Sequence, residues 1–303
     1  MKPIRKGCND FKMVTLGVAF CALMPATKAN AAVTFGGAIV PGCALLSENT
    51  YVCEESATTS ADIVSLSIDY VVIMLGGGVM KGSTITLLGG SAVQGDLDAF
   101  TTITIHDNAQ VTGDVTAGST FWMAINAQVD GNVTAGSTFT TTLFSRVLGN
   151  VTAGSTATLG ADAYVCKNME GGPSSTTATL GVRAYVHGNV ATAVGAVNLG
   201  AGAWISGDVT AGAAAGLGAG AWVNGDVTAG GAANVGAGAW VNGDVTAVGA
   251  IGYATGCIAG NIIGLAAIAP AIDVRVGANY ICPAPVRHPH TRCSPIIYGR
   301  ENY

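Results

Sequence analysis

A four-residue phrase, Gly-Asp-Val-Thr or its close relative Gly-Asn-Val-Thr, recurs along this chain at intervals of 18 residues. Its copies begin at Gly113, Gly131, Gly149, Gly207, Gly225 and Gly243. A fixed period near 20 residues is typical of solenoids, in which each repeat forms one coil and stacks on its neighbours. The period therefore constrains the architecture of the chain more strongly than any other property.

Within one coil, apolar or small residues form three pairs. Counted from the residue after the Gly-Asp or Gly-Asn pair as position 0, they fall at positions 0, 2, 6, 8, 12 and 14. In one coil these are Val227, Ala229, Ala233, Val235, Ala239 and Val241. A spacing of two is a strand signal, and the jumps between pairs indicate three strands joined at Gly, Asn and Asp corners. The sequence predicts an all-β fold, a single-stranded three-sided parallel β-helix of about ten coils.

The period also divides the chain. Residues 79–262 carry the solenoid repeats, residues 32–78 form an N-terminal cap region, and residues 263–303 form a C-terminal cap or tail. Within the cap region, the apolar stretch from Val64 to Leu75 predicts a capping strand pair. Cys43 with Cys53, and Cys282 with Cys293, are local pairs that could staple the caps. Spacing leaves open whether Cys166 and Cys257 are free.

The first 31 residues have the features of a secretory signal peptide. The start is basic, with Lys2, Arg5, Lys6 and Lys12. Residues 13–24 are apolar, and Ala29-Asn30-Ala31 fits a small-x-small cleavage pattern. The apolar run is too short to span a bilayer. We expect the mature chain in an oxidising place, secreted, periplasmic or on the cell surface.

Composition argues against a disordered chain and against nucleic-acid binding. Hydrophobic residues make up 50%, aromatic residues 6% and charged residues 10%, with 44 glycines, which suits a thin aliphatic core rather than a disordered chain. The formal net charge of -5 gives no basic footprint for nucleic acid.

The run Leu217-Gly218-Ala219-Gly220-Ala221 resembles the hexapeptide repeat of left-handed β-helix proteins. The phrase Gly-Asp-Val-Thr-Ala is similar to bactofilins, bacterial polymer-forming β-helix proteins, and similar repeats flank some secreted bacterial ice-binding and surface proteins. The resemblance covers residues 79–262. It implies a bacterial solenoid that can associate with further copies of itself. Hexapeptide helices are left-handed and bactofilins right-handed, and the six-residue faces favour the left hand.

A transferase of the hexapeptide class is one functional hypothesis. Acyltransferases of that class need a general-base His beside a groove, and carbonic anhydrases of this fold need three His on zinc. His106 and His187 fall at different positions of coils far apart, so a rigid stack cannot bring them together. His288 and His290 in the tail could at most form a weak surface metal site. The sequence predicts no enzyme and no cofactor.

Three outward columns are the candidate sites. The aromatic column, at position 13, is a candidate binding strip for a glycan, a solid surface or another solenoid: Tyr164, Tyr185, Trp204, Trp222 and Trp240. The Thr column, at position 1, is the kind of rank that ice-binding solenoids present: Thr116, Thr134, Thr152, Thr210, Thr228 and Thr246. A second rank beside it would be Thr120, Thr138 and Thr156, giving way to Ala214 and Ala232.

The third column precedes position 0 and contains only Asp and Asn: Asp96, Asp114, Asn132, Asn150, Asn168, Asn189, Asp208, Asp226 and Asp244. We interpret it as turn residues that satisfy their own backbone and tolerate left-handed conformations. The alternative is calcium at Asp208, Asp226 and Asp244, where stacked carboxylates would repel one another. Together these features predict a non-catalytic secreted solenoid with a structural, adhesive or matrix-forming role, with ice binding as the alternative.

Overall fold

The structure is a computed structural model that describes residues 33–35, 38–40, 42–47, 50–54, 56–59, 63–64, 71–175, 177–264, 268–269 and 275–276. This part of the chain is an all-β solenoid of stacked parallel coils, as predicted, with about 11 coils where the sequence indicated about ten. Each coil gives one short strand to each of three sheets, which contain 14, 12 and 12 strands. The left-handed course of the coils remains a prediction.

The three sheets are named here by their outward residues. The aromatic face contains Cys43–Ser47, Thr50–Cys53, Val71–Met74, Ala92–Gln94, Gln110–Val111, Gln128–Val129, Arg146–Val147, Tyr164–Val165, Tyr185–Val186, Trp204–Ile205, Trp222–Val223, Trp240–Val241, Cys257–Ile258 and Arg275–Val276. The Val-Thr-Ala face contains Ser56–Thr58, Val79–Gly82, Asp96–Ala99, Val115–Ala117, Val133–Ala135, Val151–Ala153, Met169–Gly171, Val190–Thr192, Val209–Ala211, Val227–Ala229, Val245–Ala247 and Ile262–Gly264.

The Thr-x-Thr face completes the coil. It contains Ile63–Val64, Ile85–Leu87, Thr102–Ile105, Thr120–Met123, Thr138–Thr141, Thr156–Leu159, Thr177–Leu180, Ala196–Leu199, Ala215–Leu217, Ala233–Val235, Ile251–Tyr253 and Ile268–Ala269. Outside the three faces, Val33–Phe35 pairs with Ala38–Val40 and Leu75–Gly77 forms one 3-10 turn.

The inward positions form continuous buried columns. The position-0 valines pair directly from coil to coil, with Met169 and Val190 between the two halves. Register places Met80, rather than Val79, opposite Leu97 at the start of this column. Inside the Thr-x-Thr face, Phe121 and Phe139 are fully buried and stack with their ring centroids 5.5 Å apart. Each such ring contributes about 2–3 kcal/mol of burial free energy.

The corner between the Thr-x-Thr face and the aromatic face is a left-handed turn in nearly every coil. Positive φ angles recur there at Gly90, Asn108, Asn126, Phe144, Asp162, Arg183, Gly202, Gly220 and Gly238. In one coil the turn is closed by the Ala221 N–H, which donates to the Gly218 carbonyl over 3.0 Å. The left-handed residues therefore form a different column from the Asp/Asn column to which the sequence assigned them.

The Asp/Asn column is instead a hydrogen-bond ladder between coils. Each Oδ1 accepts the backbone N–H of the next column member, as in Asp226 N–H to Asp208 at 2.9 Å and Asp244 N–H to Asp226 at 2.8 Å. The ladder continues from Asp96 to Asn261. Our expectation that these side chains satisfy their own turns was wrong, because the nearest unpaired N–H belongs to the following coil.

The N-terminal end of the stack is closed by an antiparallel strand. Cys43–Ser47 pairs with Thr50–Cys53, and a Cys43–Cys53 disulfide joins them, as the spacing suggested. The predicted strand pair between Val64 and Leu75 was wrong. Ile63–Val64 and Val71–Met74 lie in different faces, each in parallel with the next coil. A coil is favoured here because both strands find a ready parallel neighbour. The signal-peptide segment lies outside the described residues.

Cys166 and Cys257 are also disulfide-bonded. The sequence had left open whether these two cysteines are free, and the structure shows that both are bonded.

Candidate surface-binding faces

The aromatic column is assembled as predicted. Its five rings lie on neighbouring strands in register. Centroid distances are 5.8 Å for Tyr164 to Tyr185, 6.4 Å for Tyr185 to Trp204, 4.7 Å for Trp204 to Trp222 and 5.0 Å for Trp222 to Trp240. The two Trp–Trp contacts are stacked, so much of each ring is already covered by its neighbours.

The column is less open than its outward position suggests. Tyr185 is only 9% exposed, and its hydroxyl bonds His187 Nδ1 and Ser206 Oγ, each at 2.9 Å. Nε1 of Trp222 is buried and has no hydrogen-bond partner among the described residues. Tyr164, Tyr185 and Trp204 each have a further interaction beyond these contacts. A role of the aromatic column in binding remains a prediction.

The Thr column lies on the Val-Thr-Ala face as a single rank. Its members pair in two runs of three, and Glu170 and Ala191 separate the runs. The side chains are exposed or partly exposed. The expected second rank does not lie beside it. Thr120, Thr138 and Thr156 begin strands of the Thr-x-Thr face, because the coil turns a corner between positions 1 and 5.

The Thr-x-Thr face contains a two-rank threonine array that our sequence interpretation missed. Two outward positions, 5 and 7, carry threonine in six successive coils, with one exception at Trp122. The array consists of Thr84, Thr86, Thr102, Thr104, Thr120, Thr138, Thr140, Thr156, Thr158, Thr177 and Thr179, together with Trp122. All are partly exposed, and the residues between them point into the core. The Thr-x-Thr phrase, which recurs in five of these six coils, was the available signal.

Beyond the array the same face changes character. At position 7 threonine gives way to Asn198, Gly216, Asn234 and Gly252. These residues line a shallow groove of about 430 Å³. Ala196 replaces threonine at position 5, and the predicted change to Ala214 and Ala232 lies in this half. The face is therefore a threonine-rich half followed by a small-residue half.

The histidine and carboxylate side chains lie at separate places in the solenoid. His106 packs edge-on against Trp122, with centroids 5.8 Å apart, whereas His187 lies on the aromatic face. Within the described ranges no group of three or more His, Cys, Asp or Glu side chains could hold a metal ion. Oδ1 of Asp208, Asp226 and Asp244 each accepts a backbone N–H. His288 and His290 lie outside the described residues.

One corner holds a bidentate ion pair. Arg183 Nε and Nη2 donate to Asp162 at 2.8 and 2.7 Å. These hydrogen bonds, and then the carboxylate charge, raise the pKa of Arg183. The pair joins two left-handed residues of neighbouring coils, which is a structural role.

Comparison of the chain with protein-family models, with curated proteins and with solved structures found no match. The described stretches contain no helix with the length and apolarity needed to cross a bilayer.

Proposed function

We propose that this protein is a non-catalytic, secreted solenoid with a structural or adhesive role, and that it binds an extended, ordered surface through a flat face. The observation that carries the proposal is the two-rank threonine array of the Thr-x-Thr face. Its strands are held in register by the core and by backbone ladders. Such a face suits a partner that is itself repetitive.

Ice is the surface that the array favours. Threonines stand about 6.7 Å apart along a strand and about 4.8 Å apart between strands, so methyls and hydroxyls repeat in two dimensions. Methyl groups order the water around them, and hydroxyls both donate to and accept from that water layer. Because threonine is β-branched, its side chain is stiff and little entropy is lost on binding. The Thr column is a weaker candidate since it is one interrupted rank.

Two further features support a secreted protein. The disulfide-bonded Cys43, Cys53, Cys166 and Cys257 are typical of an oxidising compartment. The signal-like leader points the same way. The similarity of the repeats to those of bactofilins and of secreted surface proteins suggests a bacterial source and self-association or adhesion as the competing role.

The test is an ice-shaping and thermal-hysteresis assay on the purified chain. We expect activity in the wild type and its loss in Thr140→Tyr and Thr158→Tyr, because a bulky ring lifts the surface away from the array. Thr228→Tyr, the same change at an exposed threonine of the Val-Thr-Ala face, is the control and should retain activity. Trp122→Thr completes the second rank and should raise activity.

The outcomes separate the candidates. If Thr228→Tyr abolishes ice shaping and Thr140→Tyr does not, the Val-Thr-Ala face is the binding face. A wild type without ice activity would exclude ice. Sedimentation of the same proteins then tests the matrix role, which requires assemblies that Thr140→Tyr disrupts. A chain that is monomeric and inactive on ice, glycan and solid surfaces would overturn the whole proposal.

A further inference from the structure

One corner near the N-terminal end of the stack is longer than its counterpart in the next coil. It joins the aromatic face to the Val-Thr-Ala face. Strand pairing matches Ile73 to Gln94 and Val79 to Asp96. Five residues separate Ile73 from Val79, whereas a single residue separates Gln94 from Asp96. The earlier coil therefore holds four extra residues at this corner.

The extra residues form a lip, made by the 3-10 turn Leu75–Gly77. The Gly78 N–H donates to the Leu75 carbonyl over 3.1 Å, and Gly76 and Gly77 are exposed with φ angles of +67° and +72°. Their left-handed conformation lets the chain reverse within so short a loop. The lip forms one side of a cavity of about 520 Å³. Small-molecule sites typically measure roughly 300–1,000 Å³.

This corner cavity has an apolar side and a polar side. The apolar side consists of aliphatic and thioether side chains: Val52, Ile73, Met74 and Leu75. The polar side offers an amide, a carboxylate and a hydroxyl: Gln94, Asp96 and Thr112. An apolar wall binds a hydrocarbon group by removing its surface from water, and converging polar groups fix its orientation. The cavity therefore suits a small molecule with one apolar end and one polar end.

The charge of the polar side comes from Asp96, the first member of the Asp/Asn ladder. Its Oδ1 accepts the Asp114 N–H at 2.8 Å, and its Oδ2 has no hydrogen-bond partner among the described residues. Asp114 brings a second carboxylate about 4.8 Å along the stack, where like charges repel. The neighbouring Lys81 is bound by Asp98 at 2.9 Å. A cation from solution would relieve this repulsion.

We propose that the corner cavity binds a small organic ammonium compound with an apolar body. An ammonium group has three donors and no acceptor, and the side chains of Asp96, Gln94 and Thr112 each offer an acceptor oxygen. The apolar body packs against Val52 and Leu75. The proposal goes beyond the proposed function, because none of the residues that line the cavity belongs to the Thr-x-Thr face.

Titration calorimetry of the intact chain with cyclohexylmethylammonium tests the site. Cyclohexylmethanol and cyclohexanecarboxylate carry the same ring with no charge and with a negative charge, so they are the matched probes. We expect one ammonium ion bound per chain, about fivefold weaker binding of the alcohol and no binding of the carboxylate. Amide NMR signals of Gly77, Gly95 and Thr112 should shift. No binding, shifts confined to other residues, or an alcohol or carboxylate that binds as tightly would overturn the proposal.

The variant Asp96→Asn separates charge from structure. Its amide oxygen can still accept the Asp114 N–H, as the Asn members of the ladder do for their successors. We expect about fivefold weaker binding of the ammonium compound, unchanged binding of the alcohol and no fall in melting temperature. Asp226→Asn makes the same change in the ladder away from the cavity and should bind as the wild type does. Wild-type affinity in Asp96→Asn would show that this carboxylate does not hold the ligand.

Deletion of residues 74–77 tests the lip. It joins Ile73 to Gly78 and gives this corner the same length as the corner at Gly95 in the next coil. We expect the shortened chain to keep its circular dichroism spectrum and its behaviour in the ice assay, and to lose binding of both the ammonium compound and the alcohol. Ammonium binding that persists in the folded, shortened chain would contradict the assignment of the cavity.

Discussion

At the scale of single residues, two kinds of glycine form the corners of the coils. Gly220 has a φ of +66°, and an added Cβ would find nothing within 4 Å. Its role is to adopt a left-handed conformation at low cost. Gly243, which precedes Asp244, has no such φ, but an added Cβ would overlap the Asp226 carboxylate and lie 2.6 Å from the Gly225 carbonyl oxygen. Its role is to let neighbouring coils approach.

These two roles give different mutational costs. We expect Gly220→Ala to lower the free energy of unfolding by about 1–2 kcal/mol, the cost of a left-handed alanine. Gly220→Asn should cost less, since Asn108 and Asn126 hold the same position in other coils. Gly243→Ala should cost more than either, because the backbone of the preceding coil at Gly225 must move. Urea denaturation of the three variants measures the order, and equal costs for the two alanine variants would contradict it.

At the scale of elements, the Asp/Asn ladder joins strands that the sheet already pairs. The column was evident from its spacing, but its role was not. A period within the chain gives the position of a residue along its coil, and it does not reveal which backbone group of the next coil lies opposite. The same limit explains the threonines. Positions 1 and 5 look like neighbouring ranks in sequence, yet a corner places them on different faces.

The ladder predicts a contrast between two changes at one position. Asp226→Ala should lower the free energy of unfolding by about 1–3 kcal/mol, because the Asp244 N–H loses its acceptor. Asp226→Asn should be close to neutral, because an amide oxygen replaces the carboxylate, as Asn132 already does for Asn150 at 2.9 Å. Thermal melts at neutral pH measure both. A large cost for the Asn variant would indicate that the negative charge matters.

At the scale of the molecule, the period determined almost everything that sequence could predict. Strand positions, the three faces and the valine column follow from inward residues that must alternate and stack. The ends do not follow, because the strands Thr50–Cys53, Ser56–Thr58 and Ile63–Val64 each join one of the three faces although the Gly-Asp phrase is absent there. Parallel pairing with the following coil is enough there to hold these strands in the stack.

Coils that contact mainly their neighbours should be removable one at a time. Deletion of residues 226–243 joins Gly225 to Asp244 and restores the Gly-Asp-Val-Thr phrase. We expect the variant to keep its circular dichroism spectrum and to be shorter by about 4.8 Å in small-angle scattering. Deletion of nine residues, 226–234, is the control. It breaks the period within a coil and should lower the melting temperature sharply.

The Asp/Asn ladder also gives the stack a direction. Every link runs the same way, from a side-chain oxygen of one coil to the N–H of the coil that follows it in the chain. A finished coil thus presents its acceptor before its successor exists. During synthesis, which delivers the N-terminal coils first, each new coil meets a template already set for it. The chain can therefore add its coils one at a time, from the N-terminal end, in the order in which the ribosome makes them.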